Sequence, residues 1–258
     1  MDKITNYIFE QNYNLRYYEM NKHGMASPTT ILTLLEETAA EHCHNIGYNL
    51  YKLEKLNIGW VLISGIIEMT RYPIYKENIA IRTWLSKYSL IKGYRENLIF
   101  DENDKIIGKA KGVWVFYDIH KRKPVPIFDD IKSKWGCEQE TSVDERLELI
   151  NQEDEGFFQT EFDVYRSDVD SNEHVNNIRY FHFLLESLPE EIVDNYYLKV
   201  INAKFLAEAK YGEKIKVYIN DNLGNDNFLH TMKSSSDGKI LAKAHTQWEY
   251  MQPDTCCA

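Results

Sequence analysis

The sequence predicts an α+β protein made of two similar halves, each a long helix followed by antiparallel strands. Three observations carry this. The chain has 258 residues, 43% apolar and 13% aromatic, which is globular composition with material for one large domain or two small ones. Two stretches place apolar residues at helical spacing, and around them lie runs rich in β-branched and aromatic residues. Short matches recur in the same order in both halves.

Residues 9–19 alternate loosely and read as a strand. Ser27-Pro28 opens a helix: serine is a good N-cap, and proline suits the first helical position, where its missing N–H leaves nothing unpaired. Ile31, Leu34, Leu35, Ala39, Cys43 and Ile46 form its apolar stripe, and Gly47 is placed to end it in a left-handed turn. Strands are expected over 59–69, 77–85, 91–100 and 106–117, with turns at Arg71-Tyr72-Pro73 and at 101–104. From about 129 the periodicity fades into acidic and polar sequence, read as a linker with one short helix near 143–150. The pattern restarts with a strand over 157–165. A second amphipathic helix carries Ile178, Phe181, Leu184, Leu185 and Leu188 and stops at Pro189. Strands follow at 197–207, 213–220, 227–234 and 239–251.

The halves match in three places. Leu34-Leu35-Glu36 repeats as Leu184-Leu185-Glu186, an offset of 150 that also sets Arg16 on Arg166. Residues 77–81 match 213–217 at an offset of 136, and Lys109-Ala110 with Trp114 match Lys243-Ala244 with Trp248 at 134. A long helix followed by an antiparallel sheet buries its apolar stripe on the sheet. One helix wrapped by a curved antiparallel sheet is the hotdog arrangement, and two copies in one chain give a tandem, or double, hotdog. The expected domains are an N-terminal hotdog over 1–130, a linker over 131–156 and a C-terminal hotdog over 157–258.

Charge and composition exclude several classes. Thirty Lys and Arg against 40 Asp and Glu give a formal charge of −10, without the clustered cations of a nucleic-acid binder. No apolar run reaches the roughly 18 residues of a membrane span. The first residues, Met1 to Asn6, lack signal or transit character, so a cytoplasmic protein is expected. Cysteines at 43, 137, 256 and 257 form no CxxC pair or disulfide framework and read as reduced thiols. His42 and His44 flank Cys43 but leave a helix on different faces, so no metal site is expected there.

The chemistry concentrates before the second helix. Asp170, Asn172 and His174 are spaced i, i+2, i+4, and on an extended segment all three side chains leave on one side. Carboxylate, carboxamide and imidazole together can orient water, move protons and hold an oxyanion. The helix N-terminus that follows favours negative charge. Asp, Asn and Ser before a helix are also ordinary caps and turn residues. Shifting back by 150 sets Met20, Lys22 and Gly24 opposite the trio, so one working site per chain is expected.

The run Asp170 to Asn177, D-x-N-x-H-V-N-N, followed by a helix ending in Leu185-Glu186-Ser187, resembles the catalytic segment of the plant and bacterial acyl-ACP thioesterases. Trp60-Val61-Leu62, Arg71-Tyr72-Pro73, Thr83-Trp84 and Val113-Trp114-Val115 are similar to that family's first half, and the resemblance spans roughly residues 8–250. It implies a double hotdog that hydrolyses fatty acyl-ACP to free fatty acid and holo-ACP, ending fatty acid biosynthesis without metal or organic cofactor. It also implies a catalytic glutamate in a strand of the second hotdog, here Glu208, with Tyr72 at the first-half equivalent. Many plant members carry a cysteine after this glutamate; here the position is Ala209. Asp170 and Glu208 would then supply the carboxylate function, by activating water or by direct attack, while His174 and Asn172 orient the attacking group and the carbonyl. The first half would bind the acyl chain and be catalytically degenerate, with Trp60, Ile63, Ile66 and Met69 as tunnel candidates. The expected partner is an acyl carrier protein, which is acidic and would need a basic patch such as His120-Lys121-Arg122-Lys123. Neither nucleic acid nor a membrane span enters this reading; a homodimer is left open. An acyl-CoA thioesterase and a non-catalytic acyl-binding module remain the alternatives.

Overall fold

The computed structural model describes residues 7–136, 143, 156–170, 174–221, 223, 224 and 226–251. The chain divides into two units, Met1–Asp144 and Glu145–Ala258. In the first, β1 (Phe9–Asn14) precedes α1 (Pro28–Asn45), α2 (Leu50–Lys55), β2 (Ile58–Met69), β3 (Asn78–Tyr88), β4 (Lys92–Phe100), β5 (Ile106–Asp118), the short β6 (Lys123–Pro124) and α3 (Asp129–Trp135). Its strands run antiparallel in the order β1-β3-β4-β5-β2, with β6 beside β5. The second unit has β7 (Phe157–Asp163), α4 (Asn177–Glu186), α5 (Glu190–Asn195), β8 (Tyr196–Phe205), β9 (Lys214–Asn220), β10 (Asn227–Ser234) and β11 (Ile240–Tyr250). Its order, β7-β9-β10-β11-β8, is that of the first.

Local chemistry sets the elements. The Ser27 hydroxyl accepts from the Thr30 N–H at 3.1 Å, and Pro28 occupies the first position of α1. Gly47 takes φ +80° after the helix, a conformation cheap only for glycine, and its N–H returns to the His44 carbonyl at 2.8 Å. Ile31, Leu34 and Leu35 are buried, as are Ile79, Ile81, Ile99 and Ile107 of the sheet. The Tyr13 hydroxyl ties β1 to the helix through Thr38 at 2.8 Å.

The repeat is confirmed, with one correction. Thr70 N–H donates to Ile107 as Leu206 N–H donates to Leu241, at 2.9 and 2.8 Å, so the offsets of 136 and 134 hold. Leu15 N–H donates to Glu77 as Val164 N–H donates to Glu213, and the N-cap of α1 is Ser27 where that of α4 is Asn176. Across β1, the following turn and the helix the offset is therefore 149, not 150. Buried Leu34 and Leu35 correspond to buried Phe183 and Leu184. The Leu-Leu-Glu identity is a one-residue slip of the true alignment. Asn21, His23 and Met25 replace Met20, Lys22 and Gly24 as the equivalents of 170, 172 and 174.

Two further expectations change. The linker expected over 131–156 starts too early, because Ile131 and Trp135 of α3 are buried in a core with Tyr48, Ile58, Leu85, Phe116 and Ile127. Apart from Val143, the helix expected near 143–150 lies outside the described residues. The tunnel candidates do not share a face: Trp60 and Met69 stand opposite Phe116 and Gly108, Ile66 opposite Lys111, and the register skips Ile63 between Leu62 and Ser64.

Polar residues also enter the cores. Arg95 is buried against Trp135, and its Nη1 donates to His42 Nδ1 and Thr83 Oγ1, each at 3.1 Å. Burial, then the Arg95 charge, push His42 down to about 3. In the second unit burial, then the His245 charge, push His230 down to about 3. His230 stands across from Ala244 as Asn97 stands across from Ala110. Both histidines are neutral when folded and gain a proton on unfolding below their ordinary value. Stability is therefore complete above about pH 6.5 and falls as pH drops toward 3, by up to about 1.4 kcal/mol per pH unit for each histidine. His230→Asn should flatten this decline in chemical denaturation series between pH 6.5 and 4; an unchanged slope would remove His230 from the account. Ile131→Ala should cost about 2–5 kcal/mol; a loss below about 0.5 kcal/mol, normal for a surface position, would restore residue 131 to a linker.

Candidate active site

The site is built from two loops of the second unit. The first precedes α4. A short helical turn, Arg166–Asp168, places the buried Asp168 carboxylate to accept from the Tyr165 N–H at 2.8 Å and to pair with Arg179 of α4 at 3.3 Å. Val169 and Val175 then form an isolated antiparallel bridge, and Asp170 N–H donates to the His174 carbonyl at 2.9 Å. Asp170 and His174 therefore stand side by side, and residues 171–173 between them lie outside the described residues. Asn176 caps α4, accepting from the Ile178 N–H at 2.7 Å, so His174 lies two residues before a helix N-terminus.

The second loop follows β8 and carries Glu208, which sits beyond the strand rather than within it. Ala209 anchors the two loops together. Its carbonyl accepts from the Val175 N–H at 2.9 Å, and its N–H donates to the Tyr180 hydroxyl at 3.1 Å. Tyr180 comes from α4, is buried, and has its phenol held neutral chiefly by that burial. Each carbonyl or amide satisfied this way also fixes the residue beside it. Val175 adjoins His174, and Ala209 adjoins Glu208.

The result is a pair, His174 Nε2 to Glu208 Oε2 at 3.2 Å, with side chains 17% and 36% exposed. The imidazole is sheltered, and the carboxylate opens to solvent. An imidazole hydrogen-bonded to a carboxylate is an acid–base unit within reach of a water molecule. Asp170 lies at the start of the His174 loop. Asn172 lies outside the described residues. Sequence reasoning missed Tyr180, Asp168 and Arg179. The Asn-Asn-Ile-Arg-Tyr run held the signal, since Tyr180 falls on the buried side of α4 with Phe181, Phe183 and Leu184.

The first unit repeats the backbone without the chemistry. Met20 and Ala26 form the equivalent bridge, Asn21 N–H donates to Met25 at 2.7 Å, and Ala26 N–H donates to the Pro73 carbonyl at 2.8 Å. Met25 and Tyr72 occupy the positions of His174 and Glu208. A thioether and a buried phenol cannot replace an imidazole–carboxylate pair. Among the described residues no cluster of His, Cys, Asp or Glu could hold a metal ion.

Comparison with known proteins agrees. Residues 6–135 match the acyl-ACP thioesterase N-terminal domain, and residues 150–250 match the acyl-ACP thioesterase C-terminal domain. An oleoyl-acyl carrier protein thioesterase of Arabidopsis thaliana is 25% identical, over 94% of this chain and 77% of its own. A palmitoyl-acyl carrier protein thioesterase from the same plant is 24% identical, over 96% of this chain and 65% of its own. An acyl-ACP thioesterase structure from Bacteroides thetaiotaomicron superposes with a TM-score of 0.81 at 20% identity, covering 94% of this chain and 98% of that one. A 12:0-ACP thioesterase from Umbellularia californica gives 0.81 at 18% identity, covering 95% and 98%. The double hotdog is thus shared across low identity. With both halves matched in order by the two domains of one family, the chain belongs to the acyl-ACP thioesterases.

Proposed function

We infer that this protein hydrolyses the thioester of fatty acyl-ACP, adding water to give a free fatty acid and the carrier's thiol, and so ends fatty acid biosynthesis. The observation that carries the reading is the 3.2 Å contact between His174 and Glu208, in the half that matches the family's C-terminal domain. The leaving thiol departs readily. The site therefore needs chiefly an activated nucleophile and a place for the oxyanion. Glu208 and His174 take the proton from the attacking water. The positive end of the α4 dipole, two residues beyond His174, favours the developing negative charge. Asp170 completes the constellation, with Asn172 expected beside it. The first unit, which lacks the pair, takes the acyl chain. The exposed hairpin residues Lys121, Arg122 and Lys123 offer cations to an acidic carrier, although Lys121 is already ion-paired with Asp118 at 3.3 Å. A cytoplasmic location is part of this proposal.

Release of free thiol, measured in parallel on acyl-ACP and acyl-CoA, tests the carrier; equal or faster turnover of acyl-CoA would favour the CoA reading. His174→Ala and Glu208→Ala should each lower kcat about 10²–10⁴-fold with little change in Tm. An active but unstable His174→Ala protein would instead make the imidazole a structural group. Ala209 leaves no thiol beside Glu208, so a variant with all four cysteines replaced should keep most activity. Inactivation by a thiol reagent, with protection by substrate, would contradict the carboxylate reading.

A further inference from the structure

Arg95 of β4 lies in the core of the first unit, 5% exposed. Both of its hydrogen bonds leave from Nη1, to His42 Nδ1 and Thr83 Oγ1. Among the described residues no acceptor meets Nε or Nη2, and no carboxylate pairs with the guanidinium. The acidic groups that bear on its charge are the Cys43 thiol and the Tyr88 phenol. Burial pushes that thiol up to about 11, so it supplies no counter-charge. A guanidinium in this state has lost water without gaining an anion, which is costly. Trp135, 5.1 Å away, offers only the face of its ring. Trp60 packs on the same ring at 5.8 Å, and its own indole N–H is buried without an acceptor. Around Trp135, donors therefore outnumber acceptors.

The strands beside Arg95 leave room. Arg95 stands opposite Gly112 of β5, which stands opposite Gly65 of β2, and residues opposed in this way share a face. Over Gly112 lies Trp114 Nε1, 2.8 Å from the place a Cβ would take, so another donor borders the row. A Cβ on Gly65 would meet one atom within 4 Å, the Lys111 carbonyl oxygen at 3.4 Å, so the row is open there. The second unit fills the same row. Phe228, Thr246 and Ile201 stand at the equivalent positions in the same register, and all three are buried. The fold itself thus requires neither the arginine nor the glycines. Nε and Nη2 carry parallel N–H bonds along one edge of the guanidinium, which matches the two oxygens of a carboxylate. We propose that the interior of the first unit binds a carboxylate carried on an apolar chain. Arg95 Nε and Nη2 donate to its oxygens, and the chain leaves over Gly65. This rests on the reading that the first unit takes the acyl chain of a thioester substrate. Such a carboxylate has two sources: the fatty acid that hydrolysis releases, and an acyl chain with an acid group at its far end.

Tryptophan fluorescence reads the site, since Trp60 and Trp135 lie at it. Decanoate should bind about tenfold or more tighter than decanol, which has the same chain without the charge. Arg95→Met removes the donors, keeps an unbranched side chain and should abolish that preference. Gly65→Val, closing the row as Ile201 does in the second unit, should weaken decanoate about tenfold or more with Arg95 in place. In the parent protein the Arg95 Nε–H signal, followed by NMR, should move downfield on adding decanoate. That measurement needs no variant and decides the case if Arg95→Met does not fold. Two further arms separate the sources. Competition of decanoate with acyl-ACP in thiol release identifies the released product as the occupant. A KM lower for an acyl chain ending in a carboxylate than for the plain chain identifies the substrate. Equal affinity for decanoate and decanol, a preference for decanoate that survives Arg95→Met, or an unmoved Arg95 Nε–H signal would each overturn the proposal. If the parent hydrolyses no acyl thioester, the functional reading fails, while decanoate binding still decides the role of Arg95.

Discussion

A single backbone hydrogen bond, from the Val175 N–H to the Ala209 carbonyl at 2.9 Å, joins the two loops that carry the site. The residues on either side of it are His174 and Glu208, 34 positions apart in sequence and brought to 3.2 Å. The bond is weak by itself, about 1 kcal/mol net. It holds because each partner is fixed again: Val175 by its bridge to Val169, and Ala209 by the Tyr180 hydroxyl. Precision at the pair comes from this redundancy, since neither loop is a strand or a helix where it matters.

The same bond exists in the first unit, from Ala26 to Pro73, with no acid–base pair beside it. The connection between loops is therefore a property of the fold, and the chemistry is a choice of side chains placed on it. Divergence between the halves has left the backbone frame intact and changed what it presents: His174 against Met25, Glu208 against Tyr72.

Strands and long helices were legible because their signals are local. Alternating Ile, Val and aromatic residues located the strands of both units, and stripes at helical spacing located α1 and α4. The short helices α2, α3 and α5 escaped, since six or seven residues give barely two turns of periodicity. The repeat was visible from side chains, but its first offset slipped by one, because identity in Leu-Leu-Glu outweighed the burial pattern that only packing reveals. Asp170 and His174 were legible as residue types within a motif, whereas Glu208 was reached only through the resemblance to the thioesterase family. Their geometry was not: the Asp170–His174 backbone bond, and the Val175–Ala209 bond that joins the two loops, carry no sequence period. Tyr180 was hidden for a related reason, because an aromatic hydroxyl on a helix face reads as amphipathic cover until its partner is known.

Ala209 is fully buried, with its N–H and carbonyl both committed, so its side chain has only the volume of one methyl group to fill within a closed space. At such a point residues interchange by size. Cysteine would add a sulfur atom to that methyl group, and a buried thiol behaves as a small apolar body. A cysteine at this position would be a buried thiol, packing as an apolar body and poorly placed to ionise to the thiolate that a nucleophile must be.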